Sequence, residues 1–118
     1  MPARKDPAAL VILVYKVPAS KRERFLSFLP GAFKVYEEPK GVHVSLFEGI
    51  GEEGFFVEIV AYDTQEIFDA DQERVEKDPR MRETLTRWRK FVEGEPRVLL
   101  VRNTKVDRAK ASGKASRN

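Results

Sequence analysis

The chain has 118 residues, of which 42% are hydrophobic, so it is long enough for one domain with a buried core. It contains no cysteine, which excludes a disulfide framework, a thiolate metal site and a cysteine nucleophile. The net charge is +3, yet the basic excess lies near the two ends, and this argues against a nucleic-acid surface on the folded part. The longest apolar run, Ala8 to Tyr15, is too short to span a bilayer, which predicts a cytoplasmic protein.

The first predicted strand is the uninterrupted apolar segment Leu10 to Tyr15, which is typical of a strand covered on both faces. Ser20 and Glu23, three residues apart, predict a capping box that starts a helix. Its apolar stripe is interrupted at Pro30 and then resumes. We therefore expect a kinked or two-part helix that ends before Pro39.

A β-hairpin is predicted next, because hydrophobicity alternates from Val42 to Phe47 and again from Phe55 to Tyr62. The glycines at 49, 51 and 54 mark the turn between the two strands. One side-chain row of this hairpin is wholly apolar and suits the space under the helices: Val42, Val44, Leu46, Phe55, Val57, Ile59 and Ala61. The other row mixes aromatic and ionisable groups: His43, Ser45, Phe47, Phe56, Glu58, Val60 and Tyr62.

The mixed row suggests a catalytic pair. If Phe47 lies opposite Phe56, then Ser45 lies opposite Glu58, and His43 becomes a diagonal neighbour of Glu58. In a cavity with little water, Glu58 could act as a general base, with His43 either as its proton partner or as the group that orients it. The alternative is an ordinary edge strand that carries a solvated His and Glu.

A second helical segment begins at a predicted capping box formed by Asp63 and Glu66. It places Asp71 on the same face as neighbouring apolar residues, where an unpaired carboxylate would be costly to bury. Asp71 is therefore paired, surface-exposed or part of a pocket wall. Asp78 and Pro79 restart the helix as N-cap and first helical residue. The final strand is predicted over Arg97 to Arg102.

The element order, strand-helix-strand-strand-helix-strand, predicts an α+β fold of the ferredoxin-like type, with a four-stranded antiparallel sheet in the order 4132 and both helices on one face. We expect this domain to span residues 8–103 and the basic segments 1–7 and 104–118 to be flexible. The bare face of such a sheet must be buried, so we expect a homodimer formed through that face.

The passage YDTQEIFDADQERVEKDPRM, from Tyr62 to Met81, resembles the corresponding part of the antibiotic-biosynthesis-monooxygenase-like proteins, which belong to the dimeric α/β barrel superfamily. The resemblance covers residues 8–103 and implies a cofactor-independent oxygenase, a haem-degrading enzyme or an uncharacterised relative. Many members carry His where this chain has Asp71. The haem-degrading branch has Trp at that position and Asn on the first strand, and their absence argues against haem degradation.

The functional hypothesis is a cofactor-independent, monooxygenase-like or isomerase-like enzyme that acts on a small aromatic or lipophilic substrate. No metal is expected, because a single His and no Cys leave no recognised ligand spacing. The resemblance to cofactor-independent oxygenases implies that no cofactor is bound. A non-catalytic ligand-binding or structural dimer is the alternative, and an RNA-recognition domain of the same topology is disfavoured by Glu52 and Glu53. Trp88 is expected to pack in the core. The predicted substrate-binding residues are Tyr15, Phe47, Phe56, Tyr62 and Asp71.

Overall fold

The computed structural model describes residues 6–107 and 109. Its elements are β1 (Ala9–Lys16), α1 (Ala19–Tyr36), β2 (Val42–Gly49), β3 (Glu52–Tyr62), α2 (Gln65–Lys77), α3 (Pro79–Arg89) and β4 (Glu93–Arg102). The terminal residues 1–5, 108 and 110–118, for which flexibility is predicted, lie outside the described part. Within the described part, no helix combines the length and the apolar character needed to cross a membrane.

The four strands form one sheet in the order β2-β3-β1-β4, and every neighbouring pair is antiparallel. Read from the other edge, this is the predicted 4132 order, so the α+β ferredoxin-like prediction is confirmed. Strand β1 is central, as its uninterrupted apolar sequence indicates, and β2 and β4 form the two edges.

Helix α1 differs from the expectation at its start and at its middle. Its N-cap is Pro18, which offers no side-chain cap, and Ser20 is already helical, so the predicted capping box is wrong. The helix is also a single element that includes Pro30, so the two-part form of the prediction is wrong. Proline in a helix interior costs about 3 kcal/mol. Buried side chains before it, such as Phe28, and after it, such as Tyr36, keep both halves packed on the sheet.

Helices α2 and α3 begin at side-chain caps. Thr64, not Asp63, caps α2: its Oγ1 accepts a hydrogen bond from the backbone N–H of Ile67 at 3.1 Å. Asp78 caps α3 as predicted and accepts from the N–H of Arg80 at 2.9 Å. Asp63 instead lies 3.1 Å from the Nε2 of His43.

The hairpin register is the main correction to the sequence prediction. Phe47 lies opposite Val57, Ser45 opposite Ile59 and His43 opposite Ala61. The pairing shifts between Glu48 and Gly49, where β3 accommodates extra residues around Gly54. A change of one residue in register moves a side chain to the other face of a sheet. The two rows of β3 are therefore exchanged relative to the prediction.

The sheet consequently has an inner face, which packs against the helices, and an outer face, which does not. Tyr15, Phe56 and Trp88 belong to the main core cluster between the sheet and the helices. The inner face carries Val11, Leu13 and Tyr15 of β1, Phe56, Glu58, Val60 and Tyr62 of β3, and Val98 and Leu100 of β4. The outer face carries Leu10, Ile12 and Val14 of β1, His43, Ser45 and Phe47 of β2, Phe55, Val57, Ile59 and Ala61 of β3, and Leu99 and Val101 of β4.

Candidate functional site

A cavity of about 200 Å³ lies between the inner face and the helices. Its walls are mainly apolar, from Val11 and Leu13 on β1 to Met81 and Leu85 on α3. The polar side chains in the wall are Tyr36, Glu58, Tyr62, Asp71 and Gln72. On the β4 side, Val98 and Leu100 line the cavity while remaining 47% and 56% exposed, so the helices leave this side open.

Glu58 is the most unusual group in this wall. It is central on β3, points to the inner face and is only 3% exposed. Burial raises the pKa of its carboxyl above the ordinary value of 4.5, and a hydrogen bond from Tyr15 opposes this rise without cancelling it. The protonated form is therefore stabilised in a largely apolar cavity, which is an arrangement that can take up and release a proton.

Tyr15 contacts Glu58 but does not line the cavity. Its hydroxyl donates to Oε1 of Glu58 at 2.6 Å. Burial raises the pKa of this phenol far above its usual value of 10, and the neighbouring carboxyl raises it further, so Tyr15 acts as a donor. Burial also raises the pKa of Tyr36, whose ring does line the cavity, and Glu58 contributes to that rise.

A second polar cluster lies four residues further along β3. The Tyr62 hydroxyl donates to Oδ2 of Asp71 at 2.7 Å, and Nε of Arg74 donates to Oδ1 of Asp71 at 2.9 Å. The other two guanidinium nitrogens of Arg74 donate to the carbonyl oxygens of Val35 and Tyr36, each at 3.0 Å. Asp71 is thus a paired carboxylate that ties α2 to β3 and, through Arg74, to the end of α1.

The predicted site residues are divided among three places. Glu58, Tyr62 and Asp71 line the cavity, whereas Phe56 is fully buried in the core and Tyr15 supports Glu58 from behind. Phe47 is 55% exposed on the outer face, and His43 is also exposed there. The proposed pairing of His43 with Glu58 is therefore wrong, because the observed register places the two residues on opposite faces of the sheet.

Sequence reasoning did not identify Tyr36, Gln72 and Trp88 as cavity residues. Trp88 packs edge-on against Tyr15, with ring centroids 5.0 Å apart, and also lines the cavity, so its predicted packing role is only part of its position. Its buried indole N–H meets no acceptor at hydrogen-bonding geometry in residues 6–107 and 109. Helical spacing indicates burial for such residues, but it does not separate a core position from a cavity wall.

The described part of the chain contains no group of three or more His, Asp or Glu side chains that could hold a metal ion. The chemistry that this site can perform with its own residues is proton transfer at Glu58. Hydrogen bonding by the tyrosines and by Gln72 can orient a bound molecule.

The fold is shared with several solved structures. A conserved protein from Methanosarcina mazei superposes with a TM-score of 0.70 at 11% identity, and the match covers 85% of this chain and 96% of that one. A protein from Nitrosomonas europaea, provisionally named as an antibiotic biosynthesis monooxygenase, gives 0.67 at 12% identity, with coverage of 88% and 97%. SnoaB from Streptomyces nogalater, a cofactor-independent oxygenase, gives 0.63 at 16% identity, with coverage of 86% and 99%.

The chain has the fold of antibiotic-biosynthesis-monooxygenase-like proteins. This confirms the structural resemblance expected from the sequence. No family model matches the chain, and no curated protein matches it. At these identities the likeness shows the fold alone.

Proposed function

We propose that the protein is an enzyme that binds a small lipophilic molecule in the cavity and transfers a proton to or from it through Glu58. The observation that carries this proposal is a carboxyl group, 3% exposed, in the wall of an apolar cavity. A raised pKa makes the carboxylate a stronger base and keeps the acid protonated over a wider pH range, and both properties favour acid-base catalysis.

The size and charge of the cavity define the substrate class. A cavity of about 150 Å³ holds benzene, so 200 Å³ is adequate for a compound of one or two rings. Arg74 uses all three of its nitrogens on Asp71 and on the carbonyls of α1, so it is not available to an anion. An uncharged molecule with an apolar carbon skeleton therefore fits best.

In the proposed step, the ionised Glu58 accepts a proton from an acidic C–H of the substrate. The bonding electron pair remains on the substrate as an enolate, and Glu58 becomes neutral. Return of the proton to another atom completes an isomerisation. In the monooxygenase-like branch, O₂ is the co-reactant: one oxygen atom converts a CH₂ group to a carbonyl, and the other leaves as water with both hydrogens.

The test uses 1-indanone, a neutral bicyclic ketone, and follows exchange of its α-hydrogens with D₂O by NMR. Glu58→Gln should slow exchange about 100-fold or more, which is the usual contribution of a general base. Glu48→Gln is the matched control, because Glu48 lies outside the cavity and is held by Arg22 and the N–H of Gly54. Equal exchange rates in the wild type and in Glu58→Gln would refute the proposal.

Two further readings separate the remaining alternatives. Consumption of dissolved O₂ in the same mixture would indicate the monooxygenase-like branch, because proton transfer alone uses none. Binding of 1-indanone without exchange would favour a non-catalytic ligand-binding protein with the same cavity.

We also propose that two copies pack through the outer face. Phe47, Leu99 and Val101 are 55%, 38% and 40% exposed, and none of the outer-face residues is buried. Apolar side chains occupy most positions of the face, and a contiguous apolar surface of this kind marks an interface. Specific interfaces bury about 1,600 Å² in total, and we expect a face-to-face pairing of two such sheets to reach this range.

Analytical ultracentrifugation tests the pairing. Leu99→Lys places a charge within the proposed interface, on the edge strand β4, and should convert the dimer to a monomer. Leu100→Lys is the matched control, because this neighbouring leucine lies on the inner face and should leave the mass unchanged. A wild-type monomer, or equal dissociation by both variants, would contradict the proposed interface.

A further inference from the structure

We propose that Tyr15 is the positioning residue of the site: it fixes Oε1 of Glu58, so that proton exchange with a bound molecule occurs through Oε2. This inference rests on the proposed function of Glu58, and it assigns to Tyr15 a role other than the substrate contact that the sequence suggested. The hydrogen bond joins adjacent strands of the inner face, since Tyr15 lies opposite Phe56 and Glu58 lies opposite Leu13.

The position of the Tyr15 hydroxyl is fixed by the packing of its ring. The ring makes edge contacts with Phe25 at 5.9 Å and with Trp88 at 5.0 Å between centroids, and a tilted contact with Phe56 at 6.0 Å. Tyr15 itself is 3% exposed. A phenol enclosed in this way has little freedom to move, so the 2.6 Å bond to Glu58 holds the carboxyl in one orientation.

Tyr15 does not reach a ligand directly, because it is absent from the cavity wall, whereas Glu58 and Tyr36 form part of it. Its hydroxyl donates to the carboxyl, and donation stabilises the ionised form more than the neutral form. Tyr15 therefore counteracts burial and keeps Glu58 able to ionise, in agreement with the lowering that it contributes to the pKa of Glu58.

Among the described residues, no ionisable group of the cavity wall takes the place of Tyr15 as the hydrogen-bond donor to Glu58. Tyr36 approaches from α1, and burial raises the pKa of its phenol. On α2, the carboxylate of Asp71 is already bonded to Tyr62 and Arg74. The residues that α3 and β4 contribute to the cavity wall, Met81, Leu85, Trp88, Val98 and Leu100, carry no charge.

The test is a direct titration of the Glu58 carboxyl in the full chain without ligand. Glutamate labelled with ¹³C at the side-chain carboxyl reports each group by NMR, and the Glu58→Gln spectrum identifies the signal. Tyr15→Phe removes only the hydroxyl and keeps the ring contacts, so the titration midpoint of Glu58 should move upward. Tyr62→Phe is the matched control: it removes the hydroxyl of another buried tyrosine, which is bonded to Asp71, and should leave the midpoint in place.

Proton exchange of 1-indanone gives the kinetic counterpart. On the acid side of its pH profile, Tyr15→Phe should be roughly tenfold slower than wild type, since a hydrogen bond to a charged group is lost, and the profile should move to higher pH. An unchanged midpoint in Tyr15→Phe overturns the inference. A shifted midpoint supports it, and an inactive wild type would then count against the proposed function only.

An infrared measurement on the wild type covers the case in which Tyr15→Phe does not fold. The carbonyl stretch of protonated Glu58, isolated by subtraction of the Glu58→Gln spectrum, should appear at the lowered frequency of a hydrogen-bonded acid. A frequency typical of a free carboxylic acid would overturn the inference.

Discussion

Replacement of Glu58 by Gln should alter the pH dependence of stability in a direction that the structure defines. Burial raises the pKa of this carboxyl above 4.5, so the native state holds the proton more tightly than the unfolded chain does. The stability contributed by this proton is complete below pH 4.5 and is lost as the pH rises through the native pKa. For one full proton, the slope approaches about 1.4 kcal/mol per pH unit.

Glu58→Gln removes this titration but keeps a side-chain oxygen that can accept from Tyr15. The free energy of unfolding of the variant, minus that of the wild type, should therefore grow as the pH rises above 4.5 and become constant once the pH exceeds the native pKa of Glu58. Urea unfolding at a series of pH values measures this difference in free energy. The fluorescence of Trp88, the only tryptophan in the sequence, reports the unfolding. A difference that stays constant with pH would show that Glu58 titrates like an exposed glutamate and would refute the reasoning from burial.

Glu48 provides the opposite sign in the same experiment. Arg22 and the N–H of Gly54 hydrogen-bond to its carboxylate and lower its pKa to about 2. The stability that this group contributes is present above pH 4.5 and lost as the pH falls towards 2. Glu48→Gln should therefore reduce the loss of stability below pH 4.5. The loss of stability above pH 4.5, which we assign to Glu58, should stay the same.

Two further substitutions test the surroundings of the site through thermal or urea unfolding. Asp71→Ala should destabilise the protein by about 3 kcal/mol or more, because it leaves the guanidinium of Arg74 partly buried without its carboxylate; a loss below about 1 kcal/mol would mean that the pair is solvated. Gly54→Ala should cost clearly more than Gly51→Ala. Both glycines have positive φ, 89° and 78°, but a Cβ at Gly54 would lie 2.6 Å from the carbonyl oxygen of Val17, whereas Gly51 faces open space. Equal losses would contradict this steric reading.

Most of the fold can be predicted from local patterns. Short stretches of sequence are enough to predict the apolar strand β1, the alternating strands β2 and β3, and the helix restart at Asp78 and Pro79. The strand order then follows from the short connections and from the handedness of the crossovers. Details at element ends are less predictable. Ser20 fits a capping pattern, yet Pro18 ends the strand so close to α1 that the helix begins before the serine can cap it.

The candidate site depends on hairpin register, which local patterns do not determine. Phe55 and Phe56 are adjacent aromatics, so either row of β3 can be read as the core row. The register is set at Gly54. Its φ of 89° allows the bulge, and its carbonyl accepts a hydrogen bond from the N–H of Val17 at 2.8 Å. A bulge of this kind changes the pairing downstream, and this is why Glu58 lies in the cavity and His43 does not.

The exchanged rows of β3 connect the two proposals. The wholly apolar row, Phe55, Val57, Ile59 and Ala61, lies on the outer face, away from the helices α1, α2 and α3 of the described part of the chain. The row with ionisable groups, which includes Glu58 and Tyr62, faces the helices and the cavity. A monomer in water would favour the opposite arrangement, with the carboxyl exposed and the apolar row buried. The strand pattern is therefore best explained if a second copy covers the outer face and if the buried carboxyl, which costs stability at neutral pH, is retained for proton transfer.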